Sequence, residues 1–309
     1  MNRFLTLGLP SLGLALAAVP FTQVSLPWQA RAAEIRIEIR DRTLSTLSEP
    51  GFDAESSQSF IPDGLRQSDN PSEGGRVIIG PDNRQPVYSD AYPWSAVGQI
   101  VGFMPDGNYT CTGTLVAADL VLTNAHCVIN PETGEYSQRI LFLPNLVNGR
   151  LRNSDDVAEV TGVLVGTDFA EPSSPNPDDW ALISIDKPLG QTYGTIGLNP
   201  LPSEVLINDF ADNLIMVGYS GDFPAENPGQ TASAHKGCSI VAEEQSVVLH
   251  LCDTTGGASG GPILAVVDGE YRIVALHAAG ESNRETGEGI VNFAVKIPRI
   301  VRQLQAQTP

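Results

Sequence analysis

Short apolar runs closed by turn-forming residues fill the chain from Trp94 onward, and they leave little room for anything but an all-β protein. The first set is Ser95 to Phe103, Thr110 to Val116, Asp119 to Thr123, Arg139 to Phe142, Val157 to Val165 and Trp180 to Ile185. A break follows at Gly197 to Ser203, where Asn199, Pro200 and Pro202 exclude a regular strand. The second set is Leu214 to Tyr219, Cys238 to Ala242, Ser246 to Leu251, Pro262 to Val267, Tyr271 to His277 and Val291 to Val295. Asn-Gly, Asp-Gly and Pro separate the runs, and the 30 Gly and 23 Pro fit a turn-rich β architecture. Two sets predict two small barrels. At the end, Ile300, Val301 and Leu304 fall at helical spacing, so Pro298 to Gln305 is expected to be a short helix on the second barrel.

The chain starts Met1-Asn2-Arg3, continues apolar from Phe4 to Phe21 and reaches Ala30-Arg31-Ala32-Ala33, which reads as a secretory signal peptide over 1–32; the alternative, a transmembrane anchor, is disfavoured by the Gly, Pro and Ser that break the run. Residues 33–76 mix charges with Ser, Gly and Pro and read as a propeptide, or as a linker that stays attached. The texture changes at Val77-Ile78-Ile79-Gly80, the expected mature start, so 77–197 and 198–309 are the expected barrel domains, the second carrying the helix. A secreted or periplasmic location is therefore expected, and a monomer is the expected state. The formal net charge of −18 argues against nucleic acid or an anionic membrane as a partner.

Four cysteines in an exported chain suggest two disulfides, for which three pairings exist. Local pairing of Cys111 with Cys127 and of Cys238 with Cys252 is the economical one. Neither spacing suits zinc, and no metal or cofactor is expected.

Chemistry concentrates in Cys252-Asp253-Thr254-Thr255-Gly256-Gly257-Ala258-Ser259-Gly260-Gly261-Pro262. A serine among glycines reads as a nucleophile, with the N–H groups of Gly257 and Ser259 placed to share one oxygen. Of four histidines, at 126, 235, 250 and 277, His126 stands at a strand end and is pinned by Cys127. Asp179 heads the apolar run from Trp180 and is the candidate carboxylate to orient it, while Asp178 is expected in the solvated loop. An ordinary strand-capping Asp has the same pattern.

Thr-Asn-Ala-His-Cys, Asp-Trp-Ala-Leu and Gly-Ala-Ser-Gly-Gly-Pro, in that order, resemble the chymotrypsin-fold serine proteases over about residues 77–305. The resemblance implies two six-stranded antiparallel β-barrels with the site between them, a Ser259-His126-Asp179 triad, and a Cys111–Cys127 disulfide around the histidine. It implies peptide or protein substrates. Ala258 departs from the animal trypsin-like pattern, where an Asp before the serine pairs with the freed N-terminus.

Within that family the chain looks closer to the bacterial glutamyl endopeptidases, through Val77-Ile78-Ile79-Gly80-Pro81-Asp82-Asn83-Arg84, the Asp253-Thr254 pair and Asn292-Phe293-Ala294-Val295. This implies that Thr254, His277 and the Val77 α-amino group receive a glutamate side chain. Asp253 keeps open cleavage after Arg or Lys, and with it self-cleavage at Arg76-Val77. A non-catalytic homologue that binds a partner, and a chaperone-protease with an added peptide-binding module, are the readings from other classes. All triad members are present, however, and only a short helix follows residue 297.

Overall fold

The computed structural model describes residues 45–46, 52–54, 57–65, 67, 82–104, 107–171, 173–282 and 289–307, and the expected signal peptide and Val77 lie outside them. The strands are β1 (Ser45–Thr46), β2 (Gln85–Pro86), β3 (Val97–Met104), β4 (Gly107–Leu115), β5 (Leu120–Thr123), β6 (Arg139–Pro144), β7 (Ala158–Val165), β8 (Ala181–Ile185), β9 (Leu214–Gly218), β10 (Ser233–Cys238), β11 (Ile240–Glu244), β12 (Val247–His250), β13 (Pro262–Val267), β14 (Glu270–Ser282) and β15 (Gly289–Lys296). The helices are α1 (Gly190–Tyr193), α2 (Ser203–Asn208) and α3 (Ile297–Gln307).

The first sheet runs β1-β7-β6-β3-β4-β5-β8, and a β7–β8 pairing closes six of its strands into a barrel. The alternation and register of β3 to β8 put Ile100, Leu115, Val121, Ile140, Phe142 and Ile183 on one face, all fully buried. The second sheet runs β11-β12-β15-β14-β13-β9-β10-β2. β10 and β11 are separated only by Ser239 yet stand near opposite ends of that order, so the sheet rolls round on this bent run. Its core joins Leu214, Met216, Val248, Ile263 and Val274 with the Cys238–Cys252 pair.

Ser233–Cys238 is a strand that the sequence pattern does not mark. Only its last residue falls in the expected Cys238-to-Ala242 run, because His235, Lys236 and Gly237 break the apolar signal. The structure pairs Cys111 with Cys127 and Cys238 with Cys252, closing loops of sequence separation 16 and 14. Each such closure removes about 3 kcal/mol of unfolded-chain entropy.

Helix α3 buries Ile297, Ile300, Val301 and Leu304. It also reaches the first barrel, since Trp180 Nε1 donates to Gln303 Oε1 at 2.5 Å. Asp178, expected in the solvated loop, instead accepts from Arg299 Nε and Nη2 at 2.5 and 2.6 Å and from Gln303 Nε2 at 2.7 Å. A local reading cannot find these partners, which lie more than a hundred residues away.

The described part of the expected propeptide region is not free of the barrels. Phe60 and Thr195 exchange backbone hydrogen bonds at 3.0 and 2.8 Å. The hydroxyls of Ser57 and Ser59 accept from the N–H groups of Leu198 and Gly197, and Arg272 Nη1 donates to Ser57 O at 2.9 Å. Residues 57–60 thus form a strap over the connection between the two sheets.

Candidate active site

His126 sits in the 3-10 turn Ala125–Cys127 directly after β5, and the Cys111–Cys127 bridge anchors that turn to β4. Asp179 precedes β8, the ladder neighbour of β5, so the pairing of Thr123 with Ala181 brings the two residues together. Asp179 is only 7% exposed, and its carboxylate grips His126 twice. Oδ1 accepts the His126 backbone N–H at 3.0 Å, and Oδ2 lies 2.6 Å from Nδ1. Asn124 Nδ2 donates to the Asp179 carbonyl at 2.6 Å, so the backbone beneath the carboxylate is held too. With Nδ1–H committed to Asp179, Nε2 is left as the acceptor.

Ser259 Oγ is half-buried and donates to Ala278 O at 3.4 Å; no hydrogen bond joins it to His126 among the described residues. Around it the loop is closely satisfied. Ala258 N donates to Thr255 O, Gly260 N to His277 O and Gly261 N to Ala258 O, at 3.1, 2.9 and 2.9 Å. The N–H groups of Gly257 and Ser259 donate to no described residue. Two unpaired amides on one tight loop are a ready receptor for an oxygen anion, since folded chains otherwise pair such groups. Gly257 is at φ +97, and a Cβ there would stand 2.5 Å from Tyr219 O, so only glycine fits.

Thr112 on β4 was not singled out by its sequence neighbourhood, yet it ties this loop to the first barrel. Its N–H donates to Ser259 O at 2.8 Å, and its hydroxyl donates to Gly257 O at 3.0 Å while accepting from Tyr219 N at 2.9 Å. Only its place beside Cys111 could have flagged it. Ala258 is fully buried, and a Cβ on Gly218 would come within 2.7 Å of its own Cβ. Ala258 packs against the bare Cα of Gly218 and brings no carboxylate to this position.

Thr254 and His277 flank the serine on either side in the chain. The Thr254 hydroxyl is buried with no partner among the described residues. His277 Nδ1 lies 3.1 Å from His250 Nε2, and Cys252 N–H donates to His250 Nδ1 at 3.3 Å. That backbone donor fixes both tautomers: His250 carries its proton on Nε2 and gives it to His277 Nδ1, so His277 carries its own on Nε2. Burial drives His277 down to about 3 and His250 well below its ordinary value, each lowered further by a neighbouring histidine. Both rings are neutral, and His277 Nε2–H is the outer donor of the pair.

Asp253 is turned elsewhere. It is 4% exposed, its Oδ2 accepts Asn83 N–H at 2.8 Å, and its own N–H donates to His235 Nδ1 at 2.7 Å. His235 Nδ1 is therefore an acceptor, and its 3.4 Å approach to Asp253 Oδ2 is not a charged pair. Burial pushes His235 down to about 4 and Asp253 up to about 7. Val77 lies outside the described residues, so its place relative to Thr254 and His277 is not seen.

Residues 111–276 match the trypsin-like peptidase domain. The glutamyl endopeptidase of Bacillus licheniformis is 26% identical over 189 residues, covering 61% of this chain and 54% of that protein. Serine protease 23 of Bos taurus is 28% identical over 221 residues, 65% of this chain and 54% of that protein. The chain thus spans about half the length of these curated relatives. Among solved structures, a Glu endopeptidase in complex with MPD aligns with TM-score 0.61 and 25% identity, over 75% of this chain and 100% of that one. The protease Anisep from Arthrobacter nicotinovorans aligns at 0.55 and 18%, over 72% and 96%, a likeness of fold. The matched domain takes in more than half of the chain, including His126, Asp179 and Ser259, and the protein belongs to the trypsin-like peptidase domain family.

Proposed function

We propose that the protein is an exported serine endopeptidase that cuts after glutamate. The carrying observation is the pair of N–H groups at Gly257 and Ser259 that have no partner among the described residues, on the loop whose hydroxyl is the candidate nucleophile. A χ1 rotation takes Ser259 Oγ from Ala278 O toward His126 Nε2. As Oγ bonds to the substrate carbonyl carbon, Nε2 takes its proton, and Asp179 holds the imidazolium that forms. The carbonyl oxygen becomes an anion between the two amides, a contact worth about 3 to 4 kcal/mol per donor. The imidazolium then protonates the leaving amine, and water releases the acyl group by the same steps.

For glutamate, the support is the Thr254 hydroxyl, unpartnered among the described residues, together with a His277 whose proton is directed to Nε2. A buried carboxylate needs such donors. The α-amino group of a chain starting at Val77 would add positive charge. Asp253, spent on Asn83 and lying beside His235, offers little to an arginine or lysine side chain. Export is supported by the two disulfides and the Met1-to-Ala33 pattern; no helix among the described residues is long and apolar enough to cross a membrane.

A chromogenic peptide panel with Glu, Asp, Arg, Lys and Phe before the scissile bond tests this. Glu should lead. Preference for Arg or Lys would restore the trypsin-like reading, and no hydrolysis of any peptide would favour a binding homologue.

A further inference from the structure

The Asp82-Asn83-Arg84 motif has no role in the steps above, yet it is among the most tightly bonded features of the molecule. The Arg84 side chain is 4% exposed. Its Nε and Nη2 reach Asp82 at 3.0 and 2.8 Å, and its Nη1 and Nη2 reach the two oxygens of Asp222 at 2.7 and 3.0 Å. Nη1 also donates to Thr255 Oγ1 at 3.2 Å, Thr255 Oγ1 in turn donates to Asp222 Oδ1, and the guanidinium lies 4.8 Å from the centre of the Phe223 ring. One buried cation thus joins three separate stretches: the segment following the expected mature start, the loop after β9 and the loop before Ser259.

The position of that junction matters more than its strength. Next to Asp222, Gly221 N donates to Gly256 O at 2.7 Å. In a trans peptide the C=O of Gly256 and the N–H of Gly257 point in opposite directions. Fixing the first against Gly221 therefore aims the second away from it, at the free face beside Ser259. Arg84 holds both sides of this contact, Asp222 following Gly221 and Thr255 preceding Gly256. The segment is itself seated on the second sheet, through Asn83 N to Asp253 Oδ2 at 2.8 Å, Val87 N to Ala232 O at 2.8 Å and the β2–β10 ladder.

We propose that Arg84 is a positioning residue for the reaction: by bridging Asp82, Asp222 and Thr255 it locks the Gly256–Gly257 peptide with its N–H toward the substrate oxygen. The N-terminal segment is thereby coupled to the oxyanion site without the ion pair that Ala258 rules out. The inference rests on the serine endopeptidase reading. Lysine cannot replace Arg84, because a single ammonium cannot make paired bonds to Asp222 while bonding Asp82 and Thr255.

The test measures kcat and KM on a Glu-containing chromogenic peptide, and the inactivation rate with a fluorophosphonate, whose P–O bond occupies the oxyanion position. Both are normalised to active sites titrated by an ester burst. In Arg84→Met and Arg84→Lys, kcat and the inactivation rate should fall together by about tenfold to a hundredfold, with KM moving less than about threefold. Asp222→Asn alters a half-exposed partner; it decides the matter if the Arg84 variants fail to fold, and should show a smaller loss of the same kind. Unchanged kcat per titrated site, with only the melting temperature lowered, would reduce Arg84 to a structural role and overturn the proposal. Full hydrolysis by Ser259→Ala would instead sink the endopeptidase reading on which it stands.

Discussion

His250 Nε2 stands 3.1 Å from His277 Nδ1, and the proton between them belongs to His250 because Cys252 N–H already occupies its other nitrogen. The outermost group of the chain, His277 Nε2–H, is thus set by a residue that touches no substrate. His250→Phe keeps a planar ring in the cavity but removes the donor, freeing His277 to take the other tautomer. In rate assays kcat/KM for Glu peptides should drop about tenfold to a hundredfold, as expected for one hydrogen bond to a charged group. Hydrolysis of an ester with a neutral side chain should change little.

Thr254 offers a cleaner separation of stability from activity. Its hydroxyl is buried and unpartnered among the described residues, so the free enzyme carries a desolvation cost that substrate would relieve. Thr254→Val removes the cost and the contact together. Denaturant unfolding should show equal or slightly greater stability, while kcat/KM for Glu peptides falls by about tenfold.

Acid should weaken the fold before it reaches ordinary carboxylate pKa values. His235, held down to about 4, His277, at about 3, and His250, well below its usual 6.5, are neutral in the fold and protonated when unfolded. Each contributes stability that is full above about 6.5 and lost as pH falls below it. Asp253 opposes them: its pKa is raised from 3.8 to about 7, so its contribution is lost as pH rises through that window. Three histidines less one carboxyl leave a net uptake of about two protons on unfolding near pH 5. Urea titrations at pH 5, 6 and 7 should show stability climbing; a flat or falling trend would refute this proton count.

The strap over residues 195–198 can be dislodged at one atom. A Cβ on Gly197 would lie 2.4 Å from Arg272 Nη1 and 2.6 Å from Ser57 O, a backbone atom that cannot swing aside. Gly197→Ala in the full chain should cost about 1 to 3 kcal/mol by calorimetry. It should also make residues 57–60 more sensitive to limited proteolysis.

Local chemistry was the legible part of the sequence. Ser259 among glycines, His126 before a cysteine and Asp179 at the head of an apolar strand each carry a short-range signature, and strand alternation gave the all-β class. What stayed hidden depends on partners distant in the chain. Thr112 clamps Gly257 across 145 positions, Arg84 meets Asp222 across 138, and Asp178 meets Arg299 across 121. Arg84 and Asp178 lie in motifs that the sequence marks, but the partners they take have no local pattern, because the assembled fold selects them. His250 and Cys252 are close in sequence, but their hydrogen bond sets a tautomer only because β12 and β14 bring His277 within reach.

The most direct measurement is the site of covalent modification by a fluorophosphonate, read by intact mass and peptide mapping. A single adduct on the peptide carrying Ser259 is predicted, with hydrolysis lost in proportion, and neither Ser259→Ala nor His126→Ala should react at an appreciable rate. An adduct at another residue, or inhibition without any adduct, would contradict the mechanism.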